Sequence, residues 1–129
     1  MKVFLVEDSL MIRERLRSMI ASIPSIELVG EAGNEIDAVR GICRSCPDVV
    51  VLDLTLEKGN GMEVLRRAKE QALPGLVIVL TNYSYPQYLK KCMALGADYF
   101  LDKSREIEKL SELLVSLASG QHPHHEYKS

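Results

Sequence analysis

Short apolar runs and amphipathic helical repeats alternate five times along this chain, and that alternation limits the fold more than any other feature. Lys2 to Val6 is apolar enough for a strand. From Leu10 a helical repeat places Ile12, Leu16, Met19, Ile20 and Ile23 on one face, with Ser9 as N-cap and Pro24 marking the end. Glu27 and Glu31 interrupt the apolar run from Ile26 to Ala32, which suits a strand at a sheet edge. Gly33-Asn34 turns into a second helix, with Ile36, Val39, Ile42, Cys43 and Cys46, that Pro47 stops. Val49 to Leu52, ending on Asp53, is a continuous Val/Leu run, as a parallel strand covered on both faces requires. Asn60 and Glu63 form a capping-box-like start for a helix through about Ala72. Leu76 to Leu80 is a buried strand ending on Thr81, a helix from Pro86 to Leu95 stops at Gly96, and Tyr99 to Leu101 is a short strand closely followed by Lys103. Ser104 caps a last helix carrying Ile107, Leu110, Leu113, Leu114 and Leu117. Such alternation gives an α/β domain with a parallel sheet and helices on both faces, over residues 1–119, followed by a polar, disordered tail over 120–129.

The polar residues collect at strand ends. Glu7 and Asp8 follow the first strand, Asp53 ends the third, Thr81 the fourth, and Lys103 follows the fifth. In a parallel sheet these ends point the same way, and ligands bind outside them where the strand order reverses. With strand order 2-1-3-4-5 that crevice lies between strands one and three, where the three acids converge. Adjacent carboxylates beside a low-dielectric core repel one another. A cation or a phosphoryl group would offset the repulsion.

Bulk properties remove other classes. A net charge of −2 over 129 residues gives no drive toward nucleic acid or an anionic membrane. No apolar run approaches the roughly 18 residues needed to cross a bilayer, and no secretory leader is evident. Cys43, Cys46 and Cys92 are odd in number and suit a reducing cytoplasm. The Cys43-x-x-Cys46 pair lies within a helical repeat with no second ligand pair, so packing or helix surface explains it better than zinc or redox chemistry.

VEDS, VVVLD ending on Asp53, VIVL before Thr81 and GADYFLDK closing on Lys103 together resemble the receiver domain of two-component response regulators, of the chemotaxis-regulator-like kind, whose fold is flavodoxin-like and doubly wound. Gly61, eight residues after Asp53, matches the family's segment there. The resemblance implies that Asp53 accepts a phosphoryl group from a sensor histidine kinase or phosphotransfer protein. It implies that Glu7, Asp8, Asp53 and the Thr55 backbone carbonyl hold Mg²⁺, and that Thr81 and Lys103 contact the phosphoryl oxygens. Phe100 stands at the switch-aromatic position. In the family the hydroxyl moves inward on phosphorylation and the aromatic fills the vacated space, which re-shapes the surface of helix four, strand five and helix five for a downstream protein target. The expected protein is a cytoplasmic phosphoacceptor rather than an enzyme. It would dephosphorylate itself and act as a stand-alone receiver, with a homodimer possible.

Several positions depart from the family pattern. Asn82 stands where a small residue is usual, and Thr55 and Tyr83 occupy the flanking positions that tune hydrolysis. Tyr83 is expected to shield the phosphorus and slow the loss. Ser104 replaces the usual proline after the lysine, which removes the proline relief for a cis bond. Glu57 replaces a loop proline. Tyr83, Tyr85 and Tyr88 crowd the start of helix four, as an interface would. Two rival readings of the fold are weaker. Asp53-Leu54-Thr55 faintly resembles the opening of haloacid-dehalogenase-type phosphatases, but that motif follows a first strand and the chain has no room for a cap domain. A flavin site would want hydroxyls where Glu7 and Asp8 repel phosphate. A third reading, the receiver fragment of a DNA-binding transcription regulator, has no helix-turn-helix after Gly120 to support it. His122, His124 and His125 read as part of a polar end rather than a metal site.

Overall fold

A computed structural model describes residues 1–56, 59–71, 75–82, 85–103 and 107–121. The elements follow in strict alternation: β1 (Lys2–Val6), α1 (Leu10–Ala21), β2 (Glu27–Ala32), α2 (Glu35–Ser45), β3 (Val49–Asp53), α3 (Gly61–Glu70), β4 (Leu76–Thr81), α4 (Pro86–Ala94), β5 (Tyr99–Asp102) and α5 (Ile107–Ala118). The sheet order is β2-β1-β3-β4-β5 and every pairing is parallel. The parallel α/β sheet is what the alternation predicts, and the strand order is that of the flavodoxin-like, doubly wound fold that the resemblance implies.

Side-chain alternation divides the core. Val3, Leu5, Val49, Val51, Ile78, Leu80 and Leu101 pack with Leu16 and Ile20 of α1 and with Leu110 and Leu114 of α5. Phe4, Val6, Val50, Leu52, Val77, Val79 and Phe100 face the other way, onto Ala38 and Ile42 of α2, Val64 and Leu65 of α3, and Cys92 of α4. All of β3 is buried, which explains its uninterrupted apolar run. The edge strand β2 is mostly half-buried. Its Glu31 pairs with both nitrogens of the Arg17 fork at 2.6 and 2.7 Å and lies 3.5 Å from Arg13, so charge lines that edge.

Local signals set the helix starts. Ser9 accepts the Ile12 N–H, Asn34 that of Asp37 and Asn60 that of Met62. Each satisfies a donor left over in a first turn. Glu63 does not complete a capping box; its carboxylate pairs with Arg66 instead. On α2 the buried face is Ala38, Val39 and Ile42, while Ile36 is 61 % exposed and Cys43 and Cys46 lie on the surface. The expected helix face was therefore rotated away from the cysteines. Ala72, the Ser104 cap and the tail beyond Gln121 lie outside the described residues. Among the described residues no helix is long and apolar enough to cross a membrane.

Candidate functional site

Register brings the strand ends together. Val6 is level with Leu52, so Glu7 and Asp53 are the next residues on neighbouring strands. Asp53 pairs with Leu80 and Thr81 with Asp102, and the Lys103 N–H donates to the Thr81 carbonyl at 2.8 Å. Neighbouring parallel strands lie about 5 Å apart. Side chains from four of them can therefore reach one point above the sheet.

Glu7 and Asp53 are almost wholly buried, at 1 % and 4 % exposure, and Asp8 is half-buried. One carboxylate oxygen from each of the three lies within 4.8 Å of the other two. Backbone amides hold two of them: Glu7 Oε2 accepts the Ser9 N–H at 3.1 Å, and Asp53 Oδ1 accepts the Thr55 N–H at 3.1 Å. The buried Lys103 ammonium lies 3.3 Å from Asp53 Oδ2 and touches Glu7 Oε1. Gly61 closes the floor. A Cβ there would lie 2.5 Å from the Asp53 carbonyl oxygen and 2.6 Å from Leu54 Cα, so only glycine lets α3 begin this close to the acid.

Electrostatics follow from that burial. The Glu7 carboxyl is pushed up to about 7, first by loss of water, with Lys103 pulling against the shift and Asp53 adding to it. Asp53 is also raised by burial, against the attraction of Lys103. Lys103 is shared between the two buried acids Glu7 and Asp53, and burial makes both hold a proton more readily than an exposed carboxyl does. A hard divalent cation would take that role, and the all-oxygen donor set suits Mg²⁺. These residues therefore fit the ion that the sequence pattern implies.

The remaining predicted residues surround this centre. Thr81 is fully buried and, with Thr55, Leu54, Asn60, Tyr88 and Lys91, borders an open cleft of about 420 Å³ between the β3–α3 loop and α4. Thr55 and Asn82 are exposed. Phe100 is 5 % exposed and packs among Val79, Cys92 and Ala97, so the aromatic already sits inward. Tyr85 and Tyr88 are 55 % and 39 % exposed, with ring centroids 5.9 Å apart. Tyr83, Glu57 and the peptide between Lys103 and Ser104 lie outside the described residues. Sequence reasoning missed the second use of Ser9, whose N–H steadies Glu7 while its hydroxyl caps α1. It also missed the direct contact of Lys103 with Glu7. The first had a signal, since a cap two residues after an acid brings its amide within reach; the second depends on side-chain rotamers that no spacing encodes.

Comparison with known proteins identifies the family. A family model described as the response regulator receiver domain matches residues 3–115. The chain is 30 % identical over 119 residues to the nitrate/nitrite response regulator protein NarL of Escherichia coli, covering 92 % of this chain and 55 % of that protein. It is 33 % identical over 110 residues to the uncharacterized transcriptional regulatory protein YhcZ of Bacillus subtilis, covering 85 % and 51 %. The chain thus spans about half the length of these relatives. Among solved structures, a DNA-binding response regulator of the LuxR family from Staphylococcus aureus superposes with a TM-score of 0.83 at 28 % identity, covering 91 % of this chain and 98 % of that one.

Proposed function

The chain belongs to the response regulator receiver domain family, and on that premise we propose that Asp53 accepts a phosphoryl group from a sensor histidine kinase or phosphotransfer protein. The convergence of Glu7, Asp8 and Asp53 within 4.8 Å, with Lys103 against two of them, carries this reading. Receivers are phosphoacceptors in two-component signalling, and this chain has the chemistry for that role.

Asp53 is the nucleophile. As Lys103 moves away, Asp53 Oδ2, the oxygen that Thr55 does not hold, forms a P–O bond while the P–N bond to the donor histidine breaks, and the departing imidazole keeps a proton. The approach of a carboxylate to an anionic phosphorus is repulsive, so the surroundings must supply positive charge. Lys103 supplies part of it by moving its ammonium from Asp53 to a phosphoryl oxygen. Glu7, Asp8, Asp53 and the Thr55 carbonyl would hold Mg²⁺, which when bound neutralises phosphoryl oxygens. The Thr55 N–H fixes one Asp53 oxygen and leaves the other to react. Thr81 donates its hydroxyl to the new phosphoryl group. Phe100, packed inward already, responds by adjusting with Thr81 rather than by a long swing, and the surface of α4, β5 and α5 changes with it.

The receiver unit spans residues 1–119, with 120–129 a polar extension. The output is docking onto a protein partner, with no direct contact to nucleic acid, and a homodimer is one form the signal can take. Self-dephosphorylation is slow because Tyr83 shields the phosphorus. Loss of phosphate as slow in Tyr83→Ala as in the wild type would contradict that shielding. A second reading, the receiver part of a DNA-binding regulator, is favoured by the fact that the chain spans about half of relatives such as NarL. The size of the protein detected in cells by antibody separates it from a stand-alone receiver.

The main test is incubation with Mg²⁺ and acetyl phosphate, read by intact mass. One added phosphoryl group is expected, absent in Asp53→Asn and absent without Mg²⁺. Phosphoryl incorporation into Asp53→Asn at the wild-type level would refute the assignment, and turnover of phosphate esters would favour a phosphatase.

A further inference from the structure

Glu35 opens α2, yet its carboxylate serves the loop that follows the phosphoacceptor. We propose that Glu35 is a positioning residue for the Asp53 site, acting through the backbone of the β3–α3 loop; the inference rests on the phosphoacceptor reading above.

The connection is continuous. Glu35 Oε1 accepts the Asn60 N–H at 2.9 Å, and Oε2 lies 3.6 Å from the Arg67 guanidinium on α3. Gly59, at φ +94°, passes against the same side chain; a Cβ there would lie 2.4 Å from Glu35 Cβ. Asn60 caps α3, its side-chain oxygen accepting the Met62 N–H at 2.8 Å. Next along the chain, the Gly61 N–H donates to the Leu54 carbonyl at 3.2 Å. Leu54 lies between Asp53 and Thr55, which are themselves joined by the Thr55 N–H to Asp53 bond. Glu35 thereby sets where the 54–55 backbone lies, and with it the carbonyl assigned to the metal.

The other side of the site is tied to the same segment. The Glu7 N–H donates to the Ala32 carbonyl at 2.9 Å, and a Cβ on Gly33 would lie 3.6 Å from Asp8 Cα. Residues 32–35 therefore run from the Glu7–Asp8 backbone to the loop beyond Asp53. An acid in the first turn of a helix has an ordinary explanation in the helix dipole. Here Asn34 already caps α2, and both Glu35 oxygens point to α3 and its loop instead. Groups that orient metal ligands without touching the metal commonly change affinity about 10–100-fold when removed.

The test uses the full chain. Mg²⁺ affinity is measured by titration calorimetry, and exchange of the Asn60 and Thr55 amides by NMR without metal. Glu35→Ala is expected to weaken Mg²⁺ about tenfold and to speed exchange at both amides. Glu35→Gln keeps the acceptor and is expected to stay within about threefold of wild type. Gly59→Ala keeps the Glu35 carboxylate but drives the loop and Glu35 apart, its Cβ falling 2.4 Å from Glu35 Cβ, and is expected to weaken Mg²⁺ as Glu35→Ala does. Wild-type affinity in Glu35→Ala, or an equal loss in Glu35→Gln, overturns the proposal. If Glu35→Ala does not fold, Gly59→Ala decides alone, and wild-type affinity there overturns it. Failure of the wild-type chain to bind Mg²⁺ or accept a phosphoryl group overturns the parent reading and the inference with it, a result distinct from a wild type that works beside a variant that is unchanged.

Discussion

Lys103 at the end of β5 reaches Asp53 at the end of β3, its ammonium nitrogen 3.3 Å from Oδ2, and touches Glu7 at the same time. One cation thus restrains two buried acids before any phosphate arrives. Lys103→Ala would leave both unpaired, a change that costs about 3–5 kcal/mol when the charges have no other outlet. Here Glu7, pushed up to about 7, can take up a proton. The expected loss without Mg²⁺ is therefore about 3 kcal/mol at pH 8 and smaller at pH 6. Urea unfolding at both pH values measures it, and an equal loss at both contradicts the coupling.

Glu7 gives a pH signature of its own. The folded carboxyl titrates near 7 against an ordinary 4.5, so between those values the folded chain holds a proton that the unfolded chain has released. The associated stability is fully present below about 4.5 and is lost as pH rises through about 7. Glu7→Gln lacks this loss. Its stability relative to wild type, measured with EDTA, is expected to rise between about pH 4.5 and 7 by up to about 1.4 kcal/mol per unit and to level off above that. Added Mg²⁺ should shrink the difference, because metal displaces the proton. A difference that stays flat with pH would show that Glu7 is not protonated in the folded chain.

Gly61→Ala places a methyl group against the Asp53 carbonyl and Leu54 Cα. Both contacts are backbone, so neither can turn aside. A stability loss of about 1–3 kcal/mol is expected, with slower phosphorylation from acetyl phosphate, since the displaced segment carries Thr55. Differential scanning calorimetry and intact mass read the two effects.

Tyr85 and Tyr88 present their rings to solvent at the start of α4. Alanine at either is expected to change stability by no more than about 0.5 kcal/mol while weakening capture of the downstream target by the phosphorylated chain. A pull-down comparing phosphorylated and unphosphorylated protein checks this, and unchanged capture by both variants would move the interface elsewhere.

The fold was legible because alternation and burial speak the same language: Val49 to Leu52 reads as a doubly covered strand and is one. The convergence of Glu7, Asp8, Asp53 and Lys103 was legible because chemistry at matching strand ends is a one-dimensional signal of a three-dimensional point. Pairings between distant or competing side chains were not. Glu63 had a local role available at its own helix start and gave it up to Arg66. Glu35 reads as an unremarkable first-turn acid until the loop near Asn60 is seen beside it. The inward packing of Phe100 is likewise a choice between conformers with one and the same spelling.

Helix α4 keeps only Cys92 fully out of water. Every other helix of this fold is anchored by at least two such side chains. A hydrogen bond to a charged group contributes about 1.5–3 kcal/mol, a larger share of the hold on α4, where half-buried Leu89 and Met93 assist Cys92, than of the hold on α5. Were Asp53 phosphorylated as proposed, the message would meet, among the described helices, its least deeply anchored one in α4.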